Sequence, residues 1–154
     1  MYQKCLEMIA VILVFVLVAV ISYQVFGRYI LHKTPVWSEE LAKIILVWLT
    51  FLGGAIAFGK GTHLKIDLLE KVLSKKASLL LNIVVDILIT FFIIVICIHC
   101  YAFMDQIAGR LTPALRIPSS VTYFGLFIGF IASLPFLFAS IVHSFKELKG
   151  GANR

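Results

Sequence analysis

The chain has 154 residues, of which 61% are hydrophobic and only 14% charged, with a formal net charge of +6. A water-soluble domain is nearer ~45–50% apolar, so this composition excludes one and points to a single membrane domain spanning residues 1–154. The positive charge does not point to nucleic acid: the lysines stand in short clusters beside apolar runs, where the flanks of membrane helices carry them.

The first apolar run is Met8 to Phe26, interrupted only by Ser22, Tyr23 and Gln24 before Gly27 and Arg28. It outlasts the ~7–15-residue core of a secretory signal and no small-residue cleavage site follows, so a permanent spanning helix is expected over 8–28. The second run, Leu41 to Phe58, is apolar except for Lys43 and Thr50. Its roughly eighteen residues, at ~1.5 Å each, nearly cover the ~30 Å hydrocarbon core. Ser38, Glu39 and Glu40 precede it: a hydroxyl able to cap a helix start, then two acids at the positive end of the helix dipole. Gly59, Lys60 and Gly61 suit the exit of a helix over 39–59.

From Leu64 to Lys76, Leu64, Ile66, Leu68, Leu69, Val72 and Leu73 alternate with Lys65, Asp67, Glu70, Lys71, Lys75 and Lys76. That pattern predicts a short helix over about 64–75 lying in the interface, with His63, Lys65, Asp67 and Lys71 at the cytoplasmic surface. The third and fourth runs, Leu79 to Cys100 and Val121 to Val142, predict spans over 77–101 and 119–143. Between them, LTPALRIPSS contains Pro113 and Pro118 and is expected to form an ordered, extended loop. A Gly-rich tail, 149–154, is expected to be mobile.

The fold class is therefore all-α, with four transmembrane helices. Lys4, Lys60, Lys65, Lys71, Lys75, Lys76, Lys146, Lys149 and Arg154 lie on one side of it, and Arg28, Lys33, Lys43, Arg110 and Arg116 on the other. The richer side is expected to be cytoplasmic, which places both termini there.

Several polar residues need an explanation. Asp86 lies well inside the third run, where an acid costs ~2.5–3.5 kcal/mol on insertion scales, so it should not face lipid. Asn82 and Thr90 share its helical face, and the stripe reads as a packing seam in preference to an ion or proton site. Arg28, Glu39 and Glu40 should meet at the outer interface, where an ion pair could set the angle between the first two helices. Gly53, Gly54 and Ala57, with Ala55 and Gly59, offer small surfaces for close backbone approach. Trp37 belongs to the interfacial belt, whereas Trp48 lies deeper and must use its ring against protein. Cys97 and Cys100 form a C-x-x-C pair, but a membrane thiol relay needs a second pair, and Cys5 is alone at the opposite face. Haem between histidines is a weaker reading, since of His32, His63, His99 and His143 only His99 lies within a span.

The stretch V-W-S-E-E-L-A-K-x-x-L-V-W-L-T-F-L-G-G-A-x-A-F-x-K-G-x-H-L-x-I-D-L, from Val36, resembles the small membrane subunit of tripartite ATP-independent periplasmic (TRAP) transporters. Phe26, Arg28 and Tyr29 ahead of it, and T-P-A-L-R-I-P followed by Tyr123, resemble the same family. Ser119, Ser120 and Thr122 depart from the bulkier residues expected at the start of the fourth helix. The resemblance implies a bacterial inner-membrane scaffold subunit, without enzymatic activity or a cofactor of its own. It also implies two partners: a large multi-helix subunit carrying the sodium and substrate sites, and a periplasmic protein that delivers an organic acid such as a dicarboxylate or sialic acid. Trp48, Gly53, Gly54, Ala57, Asn82, Asp86 and Thr90 are then candidates for packing, and Arg28, Glu39, Glu40 and Arg116 for the outer docking surface.

Two other classes compete. A proton-coupled four-helix exporter should carry an acid in its first helix, and none stands between Glu7 and Glu39. A haem-bearing membrane anchor would show a Soret band.

Overall fold

The computed structural model describes residues 2–30, 32, 35–60 and 75–150. They form four long helices: α1 Tyr2–Tyr29, α2 Val36–Gly59, α3 Lys75–Ile107 and α4 Ser120–Gly150. All four are long and apolar enough to cross a membrane. The interfacial segment expected over 64–75, with Lys65, Asp67 and Lys71, and His63 just before it fall outside the described residues except for Lys75, which opens α3.

Each helix runs beyond its apolar core, because a helix leaving hydrocarbon keeps its backbone bonds and continues while one face still packs. At the start of α1, Gln3 donates to Glu7 at 3.4 Å, and Tyr2 packs on Phe136 of α4 with ring centroids 5.3 Å apart. At the end of α3, Met104 and Ile107 are still buried. In α4 the helix continues through the buried Ser144, so Lys149 and Gly150 of the expected tail are helical.

The second helix starts differently from the sequence expectation. Pro35, extended at φ −71° and ψ 115°, takes the capping position, and Ser38 lies within the first turn. The Ser38 hydroxyl donates to the Pro35 carbonyl at 2.7 Å while its N–H reaches the same oxygen at 3.1 Å. Proline needs no donor of its own there, so the turn begins at once and Ser38 is left fully buried.

Packing is not sequential. Among the described residues α2 lies against α1 and α4, and α3 against α4 alone, so the helices stand in the order α1, α2, α4, α3. α1 and α3 are the edges. Near the termini the row curls, since Leu6 of α1 joins Leu52, Ala55 and Ala132 in the central apolar cluster and the Tyr2 hydroxyl donates to the Ala132 carbonyl at 3.0 Å. Lys60 closes the same end on Glu7 at 3.0 Å. The outward sides carry large apolar residues, among them Phe15 at 73% and Phe138 at 70% exposure. In a bilayer these are surfaces for lipid or for another membrane protein.

Candidate functional site

At the end of the row away from the termini, the start of α2 holds the connection between α3 and α4. Glu40 accepts from the N–H of Ala114 at 3.0 Å through Oε1 and from the N–H of Leu115 at 2.9 Å through Oε2. One carboxylate thus satisfies two consecutive backbone donors that have no partner in a ladder. The loop it holds is folded back on itself, which corrects the expectation of an extended segment. Leu111 and Pro118 form an isolated antiparallel bridge, Thr112 donates to the Ile117 carbonyl at 2.8 Å, and Ser119 donates to the Arg110 carbonyl at 2.8 Å. The prolines are compatible with this because Pro113 opens the turn and Pro118 sits in the bridge, neither at a position whose N–H the loop uses. Arg116 turns the corner at φ 52°, a left-handed conformation uncommon for a residue with a Cβ, and its N–H donates to the Thr112 carbonyl at 3.1 Å. Arg110 and Arg116 are exposed at this rim. Beside it, Tyr101, Met104, Asp105, Ser120, Val121 and Phe124 line a recess of ≈ 290 Å³ between the end of α3 and the start of α4.

The ion pairs expected here form otherwise. Glu39 pairs with Lys43 at 2.8 Å, one turn along the same exposed helix face, and Glu40 is taken by the loop. Arg28 has no ion pair among the described residues. An i,i+4 partner is always within reach on a helix, whereas Arg28 would have to bridge a separate connection. Trp37 does reach across, its ring tilted against Tyr23 of α1 at 5.7 Å between centroids.

Below the rim, α2 and α4 touch through glycines. Trp48 lies over Gly125, where an added Cβ would overlap its indole, and its Nε1–H donates to the Val121 carbonyl at 3.1 Å. At Gly129 a Cβ would stand 2.6 Å from the Phe51 carbonyl carbon and 2.8 Å from its oxygen. The G-x-x-x-G spacing of Gly125 and Gly129 is the sequence signal for this contact. On α2 itself, Ala55 is buried and Gly59 meets the Phe136 ring, while Ala57 is half-buried. Gly53 and Gly54 meet nothing within 4 Å. They lie on the side of α2 turned away from the packed cluster.

The polar stripe of α3 is resolved into unlike parts. Asp86 is 1% exposed, Asn82 is half-buried, and the Thr90 hydroxyl returns to the Asp86 carbonyl of its own helix at 2.7 Å. Across the seam α4 buries Ser133 and Ser144, which sequence reasoning did not single out although their spacing with Leu137 and Ser140 follows one helical face. Ser133 donates to the Phe130 carbonyl at 2.6 Å. Cys100 is buried with its Sγ 3.8 Å from the Tyr123 carbonyl, and Cys97, half-buried, is also a free thiol.

The family model for the DctQ component of tripartite ATP-independent periplasmic transporters matches residues 17–147. The chain is 30% identical over 125 residues to the sialic acid TRAP transporter small permease protein SiaQ of Vibrio cholerae, covering 80% of this chain and 71% of that one. It is 28% identical over 121 residues to the ectoine TRAP transporter small permease protein TeaB of Halomonas elongata, covering 76% and 62%. It is 26% identical over 125 residues to the isethionate TRAP transporter permease protein DctMQ of Oleidesulfovibrio alaskensis, covering 74% of this chain but 19% of that much longer protein.

Proposed function

We propose that this chain, which belongs to the DctQ component family of tripartite ATP-independent periplasmic transporters, is the part of its transporter that stays fixed in the bilayer. It is a multi-pass protein of the inner membrane and a transport component, not an enzyme. Its partner is a large membrane subunit, and the match to a single permease protein named DctMQ supports a small subunit that works beside such a partner. The transported class is an organic acid, in keeping with the sialic acid in the name of the Vibrio relative. Import is driven by a sodium gradient through sites in the large subunit, and this chain needs no cofactor.

The observation that carries the scaffold reading is the open row of helices. A row with two broad apolar sides is a wall against which another membrane protein can lie, and its edge helices leave most of their surface uncovered among the described residues. With the termini in the cytoplasm, the loop clamped by Glu40 faces the periplasm and forms part of the surface that receives the substrate-binding protein. A loop held by two charge-assisted bonds is preorganised, so docking need not spend binding energy on ordering it.

The test is purification of the tagged chain from its native membrane in mild detergent, with mass spectrometry of what accompanies it. A large multi-helix protein in equal amount is the expected result; recovery of this chain alone as a homo-oligomer overturns the reading. For the docking surface, Glu40→Gln should speed amide exchange at Ala114 and Leu115 and weaken capture of the purified binding protein while the membrane complex stays intact. Unchanged exchange and capture would remove Glu40 from the docking surface.

A further inference from the structure

Asp86 stands in the stretch of α3 that crosses the hydrocarbon, and both of its carboxylate oxygens are buried with no hydrogen-bond partner among the described residues. Neither ion pair among those residues includes it. Among the described residues the one helix packed on α3 is α4, whose ionisable side chains are Tyr123 near its start and His143, Lys146, Glu147 and Lys149 near its end; the last four are exposed. What α4 turns toward Asp86 is hydroxyl and hydrocarbon. Ser140, exposed on the flank of α4, is near enough to act on the charge of the carboxyl group but makes no hydrogen bond to it. The buried Ser133, Leu137 and Ser144 share the Ser140 face.

We infer that Asp86 is a proton-binding site, at which the carboxylic acid and not the carboxylate holds α3 against α4, its O–H donated to the Ser140 hydroxyl. An unpaired carboxylate in a dry, apolar setting is far more costly than a neutral acid, whose burial resembles that of any hydroxyl once it has an acceptor. Ser140 can accept that bond and pass its own hydrogen to a carbonyl one turn back, the route Thr50 and Thr90 take in their helices. Ionisation hands the proton to water and leaves a negative charge with no ion-pair partner among the described residues. The seam must then admit water or a counter-ion. Because α3 packs on α4 alone among the described residues, the proton acts as a latch on an edge helix. This inference concerns the chain's own seam and stands whether or not the scaffold reading does.

The chain has three aspartates, Asp67, Asp86 and Asp105, so the site can be read in the unaltered protein. The full chain, with any subunit that accompanies it, is labelled with ¹³C at the aspartate side-chain carboxyl, placed in bilayers and titrated by NMR. One resonance should keep the shift of a protonated acid through neutral pH and be missing from Asp86→Asn. If that variant does not fold, Asp67→Asn and Asp105→Asn assign the signals by subtraction. Ser140→Ala should shift the Asp86 resonance alone. A carboxylate shift for Asp86 at neutral pH overturns the inference, and one that appears only with sodium replaces it with a cation site. An Asp86 signal indifferent to Ser140→Ala also overturns it, because the acid would then lack the acceptor proposed for it.

Discussion

On its α2 side α4 presents Gly125 and Gly129 and is joined by backbone contact, whereas its contact with α3 contains a buried acid with Ser140 beside it. The first contact is decided by shape: Phe51 main chain fills the space where a side chain would begin. The second is decided by chemistry, since Asp86 has ample burial but no hydrogen-bond donor among the described residues. Inside a bilayer both are needed, because apolar area alone does not distinguish a neighbouring helix from lipid. Close packing and polar contact are the two remaining ways to make one helix prefer another.

The contrast can be broken by substitution, and the effects should fall off in a definite order. Gly129→Leu should be most damaging, because the obstacle is the Phe51 backbone and cannot rotate away; the loss should exceed the ~1–3 kcal/mol of ordinary overpacking. It would be read as loss of folded chain from the membrane fraction, and a variant as stable as wild type would refute the contact. Trp48→Phe keeps most of the ring but gives up the bond to the Val121 carbonyl, so a loss of about 1 kcal/mol is expected in a detergent unfolding titration.

On the other side of α4, Ser133→Ala should cost no more than about 1 kcal/mol, because the hydroxyl serves only a carbonyl of its own helix. A much larger loss would mean that Ser133 bonds across the seam after all. Least affected should be Gly53→Ala, whose new methyl meets nothing within 4 Å. Its own stability should not fall, yet lost co-purification of the large subunit would mark that open face of α2 as the place where the partner's backbone approaches. An unchanged complex would assign the face to lipid.

Much of this protein was legible from its chain. Four apolar runs fixed the number and order of the spanning helices, because burying a membrane backbone demands local hydrogen bonds and local bonds are written in consecutive residues. Asp86 was recognisable as a residue that must turn inward, and Trp48 as one that must meet protein, since both judgements need only depth and polarity. Helix ends were less legible: Ser38 has the chemistry of a cap, but Pro35 starts the turn before it.

What only the tertiary structure decided is which distant residues face each other. The order α1, α2, α4, α3, the choice of Gly125 and Gly129 over Gly53 and Gly54, and the capture of the Ala114 and Leu115 amides by Glu40 all join segments far apart in the chain. Composition makes each partner possible without choosing among them. Glycines offer the same bare surface wherever they stand, and a carboxylate at a helix start can take a lysine one turn on, as Glu39 does, or the backbone of a loop, as Glu40 does. The choice falls to the direction each side chain leaves its helix once the row has packed, a property of the assembled backbone and not of any one stretch of sequence.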